Sequence, residues 1–285
     1  MAGLGLGLGL PFTGRAGGVA IPWTPANLAS PSVIWINDDS AVTDTGGGVI
    51  SQWNDISGNA YHFTQASSDQ NPLIVAAAQN GRRVTRFSGG GKALINANGG
   101  ALGVFRNHSQ GWMAAVYKKI ALYSPSTTGH NLFSVSIGGA GTTSRFTYSN
   151  NFAAGVDKAQ LVVRRLDADS AALLPLTSTV NTSYHIHMAT MDWGQGDGTV
   201  YYDGTQEAQN LALTSSGNTS DTATVNFILG SGATDLNSDI AELIIGRTIP
   251  GSTEREKLEG YLAHRWGLTA NLPALHPYKT NPPTV

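Results

Sequence analysis

The chain has 285 residues, with 17 Lys and Arg against 19 Asp and Glu and a formal net charge of −2. That balance removes the electrostatic case for a nucleic-acid partner or an anionic membrane surface. Charged residues are only 13% of the chain, its 35 glycines stand well above the usual ~7%, and it has no cysteine, which excludes disulfide scaffolds, thiolate zinc sites and cysteine nucleophiles together.

Residues 1 to about 30 differ from the rest. Gly3-Leu4-Gly5-Leu6-Gly7-Leu8-Gly9-Leu10 alternates with period two and is followed by Pro11 and Phe12. In an extended chain this puts four leucines on one face and only hydrogens on the other. Such a strip cannot bury its leucines against itself. Leu4, Leu6, Leu8, Leu10 and Phe12 are therefore expected to form an arm that docks on a neighbouring subunit by strand addition, the alternative being a flexible low-complexity tail. No positive charge precedes the run, which argues against a secretory signal peptide. No stretch reaches the ~20 apolar residues of a membrane span.

From Pro31 onward, short β-like runs alternate with turn chemistry. The runs are Val33–Ile36, Val49–Trp53, Val84–Phe87, Trp112–Tyr117, Leu132–Ile137, Phe146–Tyr148, Gln160–Leu166, Tyr184–Met191, Thr199–Tyr202, Thr224–Leu229 and Ile240–Ile245. Gly, Asn, Asp and Ser clusters divide most of them. Many short strands without long helical segments between them predict an all-β, antiparallel sandwich over residues 31–285. One helix interrupts the pattern near the C-terminus, over about 253–266. Thr253 with Glu256 reads as a capping box, Leu258, Tyr261, Leu262 and Trp266 share one face, and Gly267 stops the helix. Beyond it, the segment from Leu272-Pro273 to Pro283 reads as an extended, proline-held tail.

Chemistry is sparse in this sequence. The five glutamates are Glu207, Glu242, Glu254, Glu256 and Glu259, three of them on the helix. Glycoside hydrolysis needs two carboxylates ~5 to 9 Å apart across the sugar, and no strand carries a Glu-x-Asp-x-x-Glu cluster. Asp192, Asp197 and Asp203 form the closest grouping, but Asp192-Trp193-Gly194-Gln195-Gly196-Asp197-Gly198 reads as a hairpin turn. The same loop makes Asp192 and Asp197 the candidate calcium ligands, although it lacks the register and the distal bidentate Glu of a calcium hand. His185 and His187 face one side of a strand without a third ligand indicated. No nucleophile elbow or phosphate loop is present, so catalytic residues and nucleotide cofactors are not expected. Trp112, Tyr117, Tyr123, Tyr148, Phe152 and Tyr201 could line a sugar platform, or pack as sandwich aromatics do.

Several fragments together resemble a known family. Trp35-Ile36-Asn37-Asp38, Val49 to His62, Gln70-Asn71-Pro72 and Asn80 to Phe87 are similar to the opening of concanavalin A-like, laminin-G-type jelly-roll domains found in tailed-phage virion and bacterial surface proteins. Thr199 to Gly204 resembles their Tyr-Asp-Gly hairpin. Ile240 to Ile245, Glu254 to Leu268 and His276-Pro277-Tyr278 resemble their usual ending. Asn37 and Ser88 stand where the family often has Asp, which removes the carboxylates that a calcium or polar ligand site there would use.

The resemblance implies a jelly-roll with a binding or structural role. The expectation is a non-enzymatic component of a tailed-phage virion, a head decoration or a tail or fibre appendage. It would be exposed on the virion surface, anchored to other virion proteins by the N-terminal arm and homo-oligomeric by virion symmetry. The alternative is a free carbohydrate-binding lectin or adhesin module, with a polysaccharide-degrading enzyme third. Host-surface glycan binding fits either of the first two.

Overall fold

A computed structural model describes residues 20–121, 130–136, 144–153, 156–222, 226–230 and 236–285. Among them are seventeen strands. In chain order these are β1 (Ile34–Ile36), β2 (Val42–Gly46), β3 (Val49–Trp53), β4 (Phe63–Thr64), β5 (Leu73–Gln79), β6 (Arg82–Ser88), β7 (Ala93–Asn96), β8 (Gln110–Lys119), β9 (His130–Ser136), β10 (Ser144–Ala153), β11 (Val156–Val163), β12 (Ala172–Pro175), β13 (His185–Asp192), β14 (Asp197–Tyr202), β15 (Thr205–Asn210), β16 (Asn226–Gly230) and β17 (Asn237–Gly246). A one-turn helix α1 (Gly99–Leu102) follows β7, and α2 (Ser252–Trp266) follows β17. Leu4, Leu6, Leu8, Leu10 and Phe12 lie outside the described residues.

All pairings are antiparallel. One sheet runs β5-β6-β17-β8-β13-β14-β15, with β1 sharing the β6 side of β17. The other runs β2-β3-β4-β7-β16-β9-β10-β11-β12. A single bridge from Val49 to Leu73 joins them, so the jelly-roll sandwich wraps almost into a barrel. Each run expected from the sequence contributes to a strand. Six strands, β2, β4, β5, β7, β12 and β15, went unmarked. β15 (Thr-Gln-Glu-Ala-Gln-Asn) and β2 carry almost no apolar residues because each has a strand on one side only. β5 loses its alternation where the register shifts between Val75 and Gln79, with Ala77 at φ 49°.

Between the sheets lies an aromatic core. Phe133 stacks on Phe146 and Phe227 with ring centroids 5.7 and 5.9 Å apart, and Phe63 meets Phe227 edge-on at 5.5 Å. The first sheet is buried on its outer face as well. Along β8, Met113, Ala115 and Tyr117 enter the inter-sheet core, while Trp112, Ala114 and Val116 face a second core beneath α2. Leu258, Tyr261, Leu262 and Trp266 of α2 fill that second core, the face read from their spacing. Trp23 and Leu28 join it, and Trp23 meets Tyr261 edge-on at 6.4 Å. The C-terminal tail returns to this entry segment: Pro22 bridges Thr284, and the Trp23 amide donates to the Pro283 carbonyl at 2.9 Å.

The start of α2 differs from the expected capping box. Ser252 is already helical and extended Gly251 is the N-cap, so Thr253 lies inside the helix and cannot cap it. Glu254 instead accepts the Ala29 amide at 2.7 Å, tying the entry segment to the first turn. At the other end, Gly267 adopts the left-handed conformation at φ 69°, and the Leu268 amide returns to the Ala263 carbonyl at 2.7 Å.

One buried carboxylate locks helix to sheet. Glu242 of β17 is fully buried. It accepts from the Trp35 indole (2.7 Å), the Trp266 indole (2.7 Å), the Tyr261 hydroxyl (3.0 Å) and the Asn37 amide (3.3 Å), with Arg265 Nε at 3.4 Å. Burial pushes its pKa up, against Arg265 and the donors, which pull it down. A second carboxylate organises the Trp53-Asn54-Asp55-Ile56-Ser57-Gly58 motif. Asp55 accepts from the amides of Trp35 (2.9 Å), Ser57 (2.9 Å) and Tyr61 (3.0 Å) and from the Ser57 hydroxyl (2.8 Å).

Candidate functional site

A groove of about 550 Å3 opens where the end of α2 meets the ends of β5, β8 and β13. Gln79, Lys118, Asn181, Tyr184, His185 and Asn271 supply most of its polar wall, and no Asp or Glu lines it.

Local chemistry places each of these side chains. On the β5 side, Asn80 (φ 48°) and Gly81 (φ 72°) form the tight hairpin that two consecutive positive φ angles require. This turn presents Gln79, Asn80 and Arg82 to the C-terminus of α2. Gln79 Nε2 donates to the Trp266 carbonyl (2.7 Å), while Asn80 Nδ2 (2.9 Å) and Arg82 Nε (3.2 Å) donate to that of Arg265. Helix carbonyls that lack intrahelical donors are thereby satisfied, and the groove's edge is fixed.

On the β13 side, Asn181 Oδ1 accepts the Ser183 amide (2.7 Å) and faces His185 Nε2 (3.0 Å). His185 Nδ1 lies 2.6 Å from Asp203 Oδ2, and the Asp203 Oδ1 accepts the Ile186 amide (2.9 Å). Asp203, at φ 49°, and Gly204, at φ 79°, make the β14-β15 hairpin, so the Tyr-Asp-Gly motif anchors the start of β13. The His185 ring stacks on Tyr202 with centroids 4.7 Å apart. Asn271 Nδ2 donates to the Tyr184 carbonyl at 3.4 Å, joining the two walls.

Behind Lys118 and Tyr184 of the lining lies an ionic cluster. Buried Asp239 accepts both arms of the Arg86 guanidinium (2.6 and 2.8 Å) and the Tyr184 hydroxyl (3.2 Å). Its bond to Asp239 raises the Arg86 pKa, and burial raises that of Tyr184. Lys118 Nζ stands 3.7 Å from Asp239 Oδ2 and 4.9 Å from the Tyr184 ring centroid.

The residues singled out in the sequence have other surroundings. Asp192 accepts the Gln110 amide (2.9 Å) and the Gln195 backbone (3.1 Å) within the β13-β14 hairpin, and Asp197 opens β14 opposite it. Among the described residues, no three His, Asp or Glu side chains converge as a metal site. His185 and His187 do share a face, both against Tyr202, but His187 is buried and meets the Tyr148 hydroxyl at 2.9 Å. Burial lowers the His187 pKa well below its ordinary value. Trp112, Tyr117 and Tyr148 are core residues, and Tyr201 lies beneath the Arg255 guanidinium, so these four form no exposed platform. Tyr123 and the Phe152 side chain lie outside the described residues. The sequence reading missed Gln79, Lys118, Asn181 and Asn271. The signal at hand was Lys118-Lys119 ending an apolar strand and Asn181-Thr182-Ser183 opening another.

No family profile matches the chain, and no curated protein does. Solved structures show the fold. A Trypanosoma rangeli sialidase in complex with sialic acid superposes with a TM-score of 0.53 at 18% identity, over 87% of this chain and 36% of that one. The binding domain of Paraclostridial Mosquitocidal Protein 1 gives 0.56 at 12% identity, over 80% and 52%. A botulinum neurotoxin serotype D ligand binding domain in complex with N-acetylneuraminic acid gives 0.56 at 9%, over 82% and 52%. The chain thus spans about a third to a half of the length of these structures. The class defined by fold and comparisons is the antiparallel β-sandwich with one helix packed on an outer sheet face.

Proposed function

We propose that this chain is a carbohydrate-binding module that holds its glycan in the groove between the 181–185 loop and the end of α2. The observation that carries this reading is the groove's wall: amide and imidazole groups held by hydrogen bonds to the end of α2 and to neighbouring loops, and an ammonium over the Tyr184 ring, on a sheet packed on both faces. Directional polar groups on a rigid frame suit the many hydroxyls of a sugar and lose little entropy on binding. Two structural neighbours, a sialidase in complex with sialic acid and a toxin ligand binding domain in complex with N-acetylneuraminic acid, support the same direction at the level of fold.

Non-catalytic binding is the favoured form, because the groove wall offers no carboxylate pair. Glu242 of β17 and Glu259 of α2 are buried, and Glu207 of β15 is held by Ser178 and Thr177. A virion setting, with the arm of residues 1–30 as the anchor, rests on the sequence alone, and the fold neighbours favour the free lectin module over it. The test is a glycan array followed by titration of the hits against wild type and Asn271→Trp, which fills the groove. Saturable binding lost in the variant is the expected result. An array without hits, or binding untouched by the block, overturns the assignment.

A further inference from the structure

The ionic cluster behind the groove wall is unbalanced. Among the described residues Asp239 pairs with both Arg86 and Lys118, and its two oxygens already accept three hydrogen bonds, two from Arg86 and one from Tyr184. A bidentate guanidinium pair at 2.6 and 2.8 Å neutralises the carboxylate with good geometry. Lys118 is left beyond hydrogen-bond distance at 3.7 Å. Its side chain keeps 27% of its surface exposed, and it lines the groove. An ammonium carries three donors, and here none of them has a hydrogen-bonded acceptor among the described residues. The Tyr184 ring beneath it holds the cation in place without consuming those donors.

The rest of the wall is consistent with an incoming anion. Asp203 is turned away onto His185 and the Ile186 amide. Asn181 has its Oδ1 committed to Ser183 and His185, which leaves its NH2 as a donor. No acidic side chain lines the groove to repel a negative group.

We infer that the groove selects glycans bearing an anionic substituent, a carboxylate or a sulfate, and that Lys118 is the specificity-determining residue that receives it. This inference rests on the glycan-binding reading and adds the ligand's charge. A charge-assisted hydrogen bond in a partly desolvated groove corresponds to a ~10-fold to ~100-fold preference for the anionic member of a glycan pair.

The experiment uses the full chain on an array of matched neutral, sialylated and sulfated glycans, then titrates sialyllactose and lactose into wild type, Lys118→Gln and Lys118→Arg. Hits concentrated on the charged member of each pair, a ~10-fold to ~100-fold loss for Lys118→Gln and retention in Lys118→Arg are expected. The better of the sialylated and sulfated members then identifies the anionic group. Should Lys118→Gln fail to fold, the wild type alone still decides: binding must weaken steeply as ionic strength rises toward ~1 M, where the Debye length falls to ~3 Å. Neutral hits without a preference for charge, or salt-independent binding, overturn the inference while leaving the glycan reading intact. An array with no hits overturns both.

Discussion

Removing the Glu242 side chain tests whether one buried carboxylate holds α2 against the sheet. In Glu242→Ala, the Trp35 and Trp266 indoles, the Tyr261 hydroxyl and the Asn37 amide lose their common acceptor, and Arg265 loses a carboxylate 3.4 Å away. Arg265 keeps Asp39 at 2.7 Å and also Asp38, so its charge stays paired. Each buried donor left unsatisfied costs ~1 to 3 kcal/mol, and the relief of no longer burying a carboxylate offsets part of that sum. The expected net loss is ~3 to 5 kcal/mol, read as a lower urea midpoint at unchanged m. Glu242→Gln keeps one acceptor oxygen but turns an NH2 toward donors, for an intermediate loss of ~2 to 3 kcal/mol. Burial raises the Glu242 pKa in the folded chain. Its contribution is therefore fully present below the ordinary glutamate range and is lost as pH rises through the folded value, a slope that Glu242→Gln removes. A Glu242→Ala loss below ~1 kcal/mol would refute the reasoning, because four orphaned donors cannot cost so little unless water reaches them.

Three further outcomes follow from the same geometry. Arg145 is fully buried and spans the Phe105 and Thr222 carbonyls (3.2 and 3.0 Å) and Asp167 (2.7 Å). Burial alone would raise the Asp167 pKa, but hydrogen bonds from Arg145, Thr222 and Ser220 outweigh it and hold the carboxyl below its ordinary value. That stability is present above the ordinary aspartate range and is lost as pH falls through the folded pKa, so acid unfolding of Asp167→Asn should show a flatter pH profile than wild type. At Gly260, an added Cβ would overlap the Tyr278 side chain, so Gly260→Ala should cost ~1 to 3 kcal/mol in thermal unfolding by lifting the tail off α2. Trp23→Ala empties the space beside Tyr261 and should cost ~3 to 5 kcal/mol in urea unfolding, whereas a change within error would mean that the entry segment is not part of the second core.

Local pattern alone determined the sandwich, the C-terminal helix and its buried face. Alternating runs such as Val49–Trp53 and the spacing of Leu258, Tyr261, Leu262 and Trp266 encode burial directly, because side-chain direction repeats with the backbone period. Strands such as Thr205–Asn210, with one paired edge and a polar sequence, carry no such signal, since nothing buries them from both sides. Only the tertiary structure decided the helix cap, where the Glu254 carboxylate serves Ala29, 225 positions away, rather than its own helix. It alone decided the groove as well. Lys118, Asn181 and Asn271 come from a strand end, a loop and the turn after α2, and no spacing in the sequence relates them. It also decided which charges remain available: Arg86 and Lys118 read alike as basic residues, but pairing with Asp239 spends one and leaves the other facing solvent.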